Sequence, residues 1–457
     1  MKKRWLIIFI IIVIVIFILF LINHKKKSYD LDRSEVVSGK VLSVSNDDFT
    51  IMDKSNLIYT FKNSDRNLII EVGKDYEFNY KGSLDKNTCV QSVKILQVTK
   101  LEEESILFDN GMFKEFYKMA YNKLKDMTLE EKIGQVLLVG APESNQIETI
   151  EKNNYSGYIL YKRDFDGKTK TQIISHINNL QKASKIPLLI AVDEEGGPVI
   201  RVSSNSNLVS EPFKSSMELY SLGGMELIKE DTINKSKILS ELGINLNLAP
   251  VVDISTDKSS YIYPRTIGQN TSITSEFAKT VIEASKNTGV SYTLKHFPGY
   301  SNNKDTHESV SFDSRTYDEI LKNDLPPFIE GVNAGAEAVL VGHNIVNILD
   351  ADLQASLSPA VHNLLVNEVG FTGISITDDL SMAGIGSDNN ALTKALLAGN
   401  DLLIVTDSEG SIQKLLSAVN DGTLEELKED EWDKIINKYK ELPDTKDKRQ
   451  FMRIFLS

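Results

Sequence analysis

Eight short, apolar, β-branched runs recur down the chain, and this rhythm limits what it can fold into more than any other feature. They read VLLVG (136–140), GYILYK (157–162), PLLIAVD (187–193), INLNLAP (244–250), VSYTLKH (290–296), AEAVLVGH (336–343), GISITDD (373–379) and DLLIVT (401–406). A polar loop follows each run, and amphipathic stretches such as 170–182, 275–288 and 389–398 lie between them. Apolar runs without a polar beat suit strands buried on both faces, and alternation with helices makes such a sheet parallel. Eight strand–helix units in roughly 300 residues predict an α/β chain, a (β/α)8 barrel of the TIM type. A doubly wound sheet is the runner-up, but no glycine-rich phosphate loop follows any run.

Chemistry-bearing residues recur at equivalent places in this rhythm. Asp193, Asp253, Lys295, His296, His343 and Asp378 lie at or just beyond the C-terminal ends of the runs. In a barrel those ends share one face, so residues distant in sequence surround one pocket. The densest stretch, LKHFPGYSNNKDTHESV from Leu294, holds Lys295, His296, Asp305 and His307. For its two histidines, a solvated surface loop is the competing reading. Asp305 and His307 stand two apart, so on an extended segment both project to one side. A carboxylate bonded to imidazole orients the ring and raises its pKa, giving a proton donor near neutral pH. Asp378 ends a very apolar run, where a carboxylate can attack an electrophilic carbon. Its competing role is an N-cap for a following helix, which Asp379 can equally supply. One carboxylate nucleophile opposite one tuned acid is the layout of a retaining glycosidase, here with His-Asp in place of the usual acid carboxyl. Zinc is the alternative for His296, His307, Asp305 and His343, yet no HExxH or comparably tight spacing occurs. Neither a metal nor another cofactor is expected.

The N-terminal part of the chain reads differently. From 34 to 98 the runs VVSGKVLSV, FTIMD, LIYTFK, LIIEV, YEFNYKG and VKILQV are separated by polar turns. They predict a small all-β module of five or six strands, OB-like and structural in role, within a domain spanning 28–100. An acidic linker, 101–112, leads to a helical pattern at 113–125 and a second domain at 113–457. Trp5 to Ile22 is an uninterrupted apolar run of 18 residues, about 27 Å long as a helix. Lys2, Lys3 and Arg4 precede it, Lys25, Lys26 and Lys27 follow it, and no small-residue cleavage site is present. The expectation is an uncleaved single-pass anchor within 1–27, with the catalytic domain extracellular. A net charge of −13, with no basic stripe interleaved with aromatics, excludes nucleic acid as a partner. The single cysteine, Cys89, excludes an intrachain disulfide and is expected as a buried small hydrophobe.

Taken in order, MTLEEKIGQVLLVG (127–140), AVDEEGGPVIRV (191–202), GINLNLAPVVDI (243–254), YPRTIG (263–268), KHFPGY…DTH (295–307), ASLSPAVH (355–362) and ITDDLSM (376–382) resemble glycoside hydrolase family 3. The resemblance is to its bacterial β-N-acetylglucosaminidase branch and covers the chain from Phe113 to Lys440. It implies Asp378 as nucleophile, His307 paired with Asp305 as general acid/base, and sugar contacts from Asp193, Arg201, Arg265, Lys295 and His296. Such acceptors and donors suit sugar hydroxyl and amide groups. It further implies retaining exo-hydrolysis of terminal β-linked N-acetylglucosamine from peptidoglycan-derived or related glycans. Some positions depart from the family pattern: the common GHGDT after KHFP reads GYSNN, Pro198 stands where many relatives have Arg, and RSFG reads RTIG. These positions flank the pocket and bear on aglycone preference. The short stretch after the eighth run leaves no room for the sandwich domain of many relatives, so the site is expected to be complete within the barrel. Two rivals stay open. One is a β-glucosidase or glycoside phosphorylase on the same framework, the other a catalytically silent glycan-binding surface protein.

Overall fold

The computed structural model describes residues 34–424, apart from 46–47, 54–57, 63–69, 71, 73–74, 85–89, 92, 101–110 and several positions between 115 and 125. The chain divides into two units, Met1–Ser105 and Ile106–Ser457.

The first unit contains strands β1 (Ser34–Val44), β2 (Asp48–Asp53), β3 (Ile58–Lys62), β4 (Asp75–Lys81), β5 (Val90–Gln91) and β6 (Lys94–Lys100). Their order in the sheet is β5-β3-β2-β1-β4-β6. β5 pairs parallel with β3, and β6 pairs antiparallel with β4. β5 and β6 stand only two positions apart in sequence yet pair with opposite edges of the sheet, which brings those edges together. That closure gives the five-stranded connectivity expected of an OB-like barrel. Alternation supplies its core: Phe49, Ile51, Tyr59, Phe61, Tyr76 and Phe78 all point inwards, and Phe49 stacks on Phe78 at 5.0 Å. The expected LIIEV strand is not seen at its described positions, Ile70 and Val72. Its other three positions, 68, 69 and 71, lie outside the described residues. Cys89 lies outside the described residues.

The second unit contains β7 (Leu137–Gly140), β8 (Gly157–Ile159), β9 (Leu189–Val192), β10 (Leu246–Asn247), β11 (Ser291–Phe297), β12 (Phe312–Asp313), β13 (Ala338–Val341), β14 (Ile345–Val346), β15 (Ile374–Thr377) and β16 (Leu403–Val405). Eight of these form one sheet in the order β15-β13-β11-β10-β9-β8-β7-β16, while β12 and β14 make a separate parallel pair. β16 pairs parallel with β7, and a parallel bridge between Ile376 and Leu402 joins it back to β15. The sheet is therefore a closed parallel barrel, which removes the doubly wound alternative. Every expected run supplies one strand. Leu138, Ile159, Ala191, Leu246, Leu340, Ile376 and Ile404 cluster in the barrel interior. Their sequence neighbours, such as Leu137, Val139, Ile190, Val192, Val339 and Leu403, pack against the helices. Both faces are dry, which is why the runs are apolar throughout.

Capping chemistry sets where the helices begin. Thr169 and Gln172 form a reciprocal capping box ahead of helix Lys170–Ala183, whose Ile173, Ile177 and Leu180 are buried. Asn270 caps helix Thr271–Ser285, which starts one turn before the expected 275. The stretch 113–125 is helical only at 119–120 and 123–124 among its described residues. Among the described residues no helix is long and apolar enough to cross a membrane, and the run at 5–22 lies outside them.

Candidate active site

Loops after β9 and β10 and the end of β11 itself bring a charged cluster together at the C-terminal end of the barrel. Lys295 lies between Asp193, at 2.9 Å, and Glu195, at 2.7 Å. Arg265 donates to both Glu195 oxygens, at 3.0 and 2.8 Å. Arg201 approaches Asp193 at 3.9 Å. Burial pushes the Glu195 carboxyl up, but Arg265 and Lys295 outweigh it and hold the group well below the carboxylate range. Burial likewise pulls Lys295 down, and Asp193 and Glu195 more than restore it, so it remains an ammonium. Charges this deep persist because they are paired. Asp193 and Arg201 keep open sides, being 20% and 26% exposed.

The segment between Glu195 and Arg201 folds back on Glu194. That buried carboxylate accepts from the Arg201 amide at 2.8 Å, the Val202 amide at 2.6 Å and the Ser203 hydroxyl at 2.5 Å. Gly196 and Gly197 have φ of +96° and +62°, and a Cβ on Gly196 would stand 2.2 Å from the Lys214 carbonyl oxygen. Only glycine meets both demands.

His296 is buried, contrary to the surface-loop reading. Asp253 accepts from its backbone amide at 3.1 Å and from Nδ1 at 2.7 Å. Nε2 stands 3.4 Å from an Arg265 nitrogen, which can only donate. The proton of a neutral ring therefore sits on Nδ1.

Asp378, half-buried, follows directly on β15. Its amide donates to the Val341 carbonyl at 2.9 Å, and its Oδ1 accepts the Asp379 amide at 2.9 Å. No α-helix begins here, since a 3-10 turn at Ala383–Ile385 comes next, and this removes the capping role. Asp379 instead closes the turn through the Ser381 amide, at 2.9 Å, and the Thr406 hydroxyl, at 2.9 Å. Burial pushes the Asp378 carboxyl up, while His343, His296, the Asp379 amide and Lys295 together bring it below its ordinary value. The group is an ionised carboxylate. His343 is fully buried, and burial lowers its pKa. Nε2 donates to the Asp379 carbonyl at 2.9 Å and Nδ1 meets the Ser356 hydroxyl at 2.8 Å. It braces the Asp378 loop rather than opening to the pocket.

Asp305 and His307 do meet, but in a turn rather than on an extended segment. Asp305 Oδ1 accepts from the His307 amide at 2.9 Å and from its Nδ1 at 2.7 Å. The carboxylate closes the turn on itself, which pairs the residues without any strand face. Nε2 has no partner among the described residues, on a half-exposed ring that stands edge-on to Tyr261 at 5.6 Å. Burial raises the hydroxyl pKa of Tyr261 and Tyr300, and Asp305 and Asp378 both add to the rise. The negative charges of Asp305 and Asp378 thus act on the same two hydroxyls.

The four candidate zinc ligands do not converge: His296 is taken by Asp253, His343 by Ser356 and Asp379, and His307 by Asp305. Sequence reasoning passes over Glu194, Glu195, Tyr261 and Tyr300. For the glutamates a signal existed, three consecutive acids closing an apolar run. For Tyr261 there was none, while Tyr300 lies in GYSNN, a stretch that departs from the family pattern.

The sequence is 28% identical over 300 residues to a β-hexosaminidase of Xanthomonas campestris pv. campestris, covering 63% of this chain and 89% of that one. It is 29% identical over 295 residues to a β-hexosaminidase of Xylella fastidiosa, covering 62% and 87%. Among solved structures, a glycoside hydrolase family 3 β-N-acetylglucosaminidase from Paenibacillus sp. superposes with a TM-score of 0.61 at 26% identity. That match covers 71% of this chain but less than two thirds, 63%, of the other. M. tuberculosis LpqI superposes with a TM-score of 0.61 at 25% identity, over 73% of this chain and 94% of that one. Residues 128–437 match the family model described as the glycosyl hydrolase family 3 N-terminal domain. The chain belongs to glycosyl hydrolase family 3.

Proposed function

We propose that this chain is a retaining exo-β-N-acetylglucosaminidase that removes terminal β-linked N-acetylglucosamine from peptidoglycan-derived or related glycans. The observation that carries the reading is the Asp305–His307 pair held against the loop of Asp378, where the Thr306 carbonyl between the two accepts the Gly384 amide at 2.7 Å. The names of the relatives support the acetamido sugar over a glucoside. Asp378 attacks the anomeric carbon and the bond to the leaving oxygen breaks, while His307 Nε2 delivers the proton that oxygen needs. Asp305 balances the imidazolium that acts as donor. In the second step neutral His307 takes a proton from water, the water oxygen attacks the anomeric carbon, and Asp378 is released. Asp193 and Arg201 offer their open sides to sugar hydroxyls. Arg265 and Lys295 line the floor with donors already held in place, and His296, its Nδ1 bound to Asp253, presents Nε2 beside them. The apolar run at 5–22 anchors the chain in the cell membrane as a single pass, with the barrel outside.

The test compares p-nitrophenyl β-N-acetylglucosaminide with the β-glucoside, using the full chain in detergent. Release from the acetamido sugar is expected, and release from the glucoside alone overturns the substrate. Asp378→Ala should lower kcat by 1,000-fold or more, on the order of a lost nucleophile. Near-normal turnover removes it from that role. His307→Ala should cost about 100-fold or more on substrates with poor leaving groups and far less on activated ones.

A further inference from the structure

Thr306 stands between the two members of the proton-transfer pair and is held from both sides. Its amide donates to the Tyr300 hydroxyl at 2.6 Å, and its own hydroxyl lies 2.9 Å from the same oxygen. Its carbonyl accepts the Gly384 amide at 2.7 Å, and Gly384 belongs to the turn just past Asp378. Thr306 and Tyr300 are buried, although His307 on the same turn is half exposed.

Tyr300 is itself fixed. Its amide donates to Asp253 at 2.5 Å, and its ring lies edge-on to His296 at 5.5 Å and against Tyr261 at 6.2 Å. A phenyl ring would fill the same space but deprive the Thr306 amide of its acceptor. Tyr300 also lies in the GYSNN stretch, where the chain leaves the common family pattern.

We infer that Tyr300 is a positioning residue for His307: its hydroxyl fixes the Thr306 amide, and the Gly384 bond to the Thr306 carbonyl, in the peptide that leads into His307, ties the same residue to the loop of Asp378. The acid/base turn and the nucleophile loop are thereby held in one frame before substrate arrives, which is the source of its effect on rate. This inference rests on the glycosidase reading above and names a residue that the reading does not use.

The test measures kcat/KM of the full chain for p-nitrophenyl β-N-acetylglucosaminide and for an N-acetylglucosamine disaccharide. This constant reports the first transfer, in which a nitrophenolate leaves without a proton and a sugar alkoxide does not. Tyr300→Phe should lower the value for the disaccharide about tenfold or more, through kcat rather than KM, and the aryl value less than twofold. Gly384→Ala reaches Thr306 from the other side, since its Cβ would stand 2.8 Å from Thr306 Cβ and 2.9 Å from its carbonyl oxygen. The same selective loss is expected. If Tyr300→Phe does not fold, Gly384→Ala decides the matter alone. Equal losses on both substrates, or none, overturn the inference. His307→Ala in the same assay separates the two ideas. A selective loss there without one in Tyr300→Phe sinks the anchor alone. No selective loss in His307→Ala sinks the proton-transfer reading and the anchor with it.

Discussion

The buried charges of the site are coupled, so no member of the cluster can be changed by itself. Glu195 serves Lys295 and Arg265 at once, and its loss leaves Asp193 facing two buried cations. Glu195→Gln should therefore lower unfolding free energy by about 3 kcal/mol, the scale of a broken buried ion pair. Denaturant unfolding followed by far-ultraviolet circular dichroism measures it, and a loss below about 1 kcal/mol would mean that the cations find other partners. Lys295, His296 and Asp378 were legible in the sequence because each ends an apolar run. Glu195 sits in such a place too, but its meaning depends on Arg265, a partner 70 positions away. The role of His343 was misjudged for a related reason: position at a strand end does not say which way a side chain turns. Its ring turns to Ser356 and the Asp379 carbonyl.

Among the elements, the loop after β11 shows how a long polar segment is held still. Arg315 donates to the Gly299 carbonyl at 2.8 Å and to Asp313 at 2.9 Å, and pairs with Asp324 at 2.5 Å. One guanidinium thus clasps both ends of the loop that carries Asp305 and His307. Asp324 lies at the end of a π-helical turn, Ile320–Asp324. Burial pushes its carboxyl up to about 7, with Arg315 opposing and Asp253 and Asp313 adding to the rise. Because the folded value lies above the ordinary 3.8, the folded chain keeps a proton there that the unfolded chain releases. The stability from that proton is complete below about pH 4 and lost as pH rises to about 7. Thermal unfolding midpoints should accordingly fall across this window in the wild type, and Asp324→Asn should flatten the slope. Parallel slopes would show that Asp324 does not titrate there. Periodicity revealed the strands of the barrel and its larger helices.

At the scale of the whole molecule, the anchor makes a prediction of its own. The full chain should sediment with membranes, and a chain lacking 1–27 should be soluble with kcat/KM within about twofold, since no site residue lies there. Protease added to intact cells should destroy the activity of the full chain. Recovery of the full chain in the soluble fraction would remove the anchor, and survival of activity in intact cells would reverse its orientation. The sequence by itself determined the barrel, because a strand dry on both faces must be apolar throughout and helices must alternate with such strands. It also placed the chemistry at the strand ends. Only the tertiary structure decided the partners: Glu195 with Arg265, Asp253 with both His296 and Tyr300, and Thr306 between Tyr300 and Gly384. It also decided that β5 and β6 together close the first unit. Periodic patterns encode which face of an element is buried. Pairings across tens of residues arise only when barrel closure and loop conformation bring particular side chains within bonding distance.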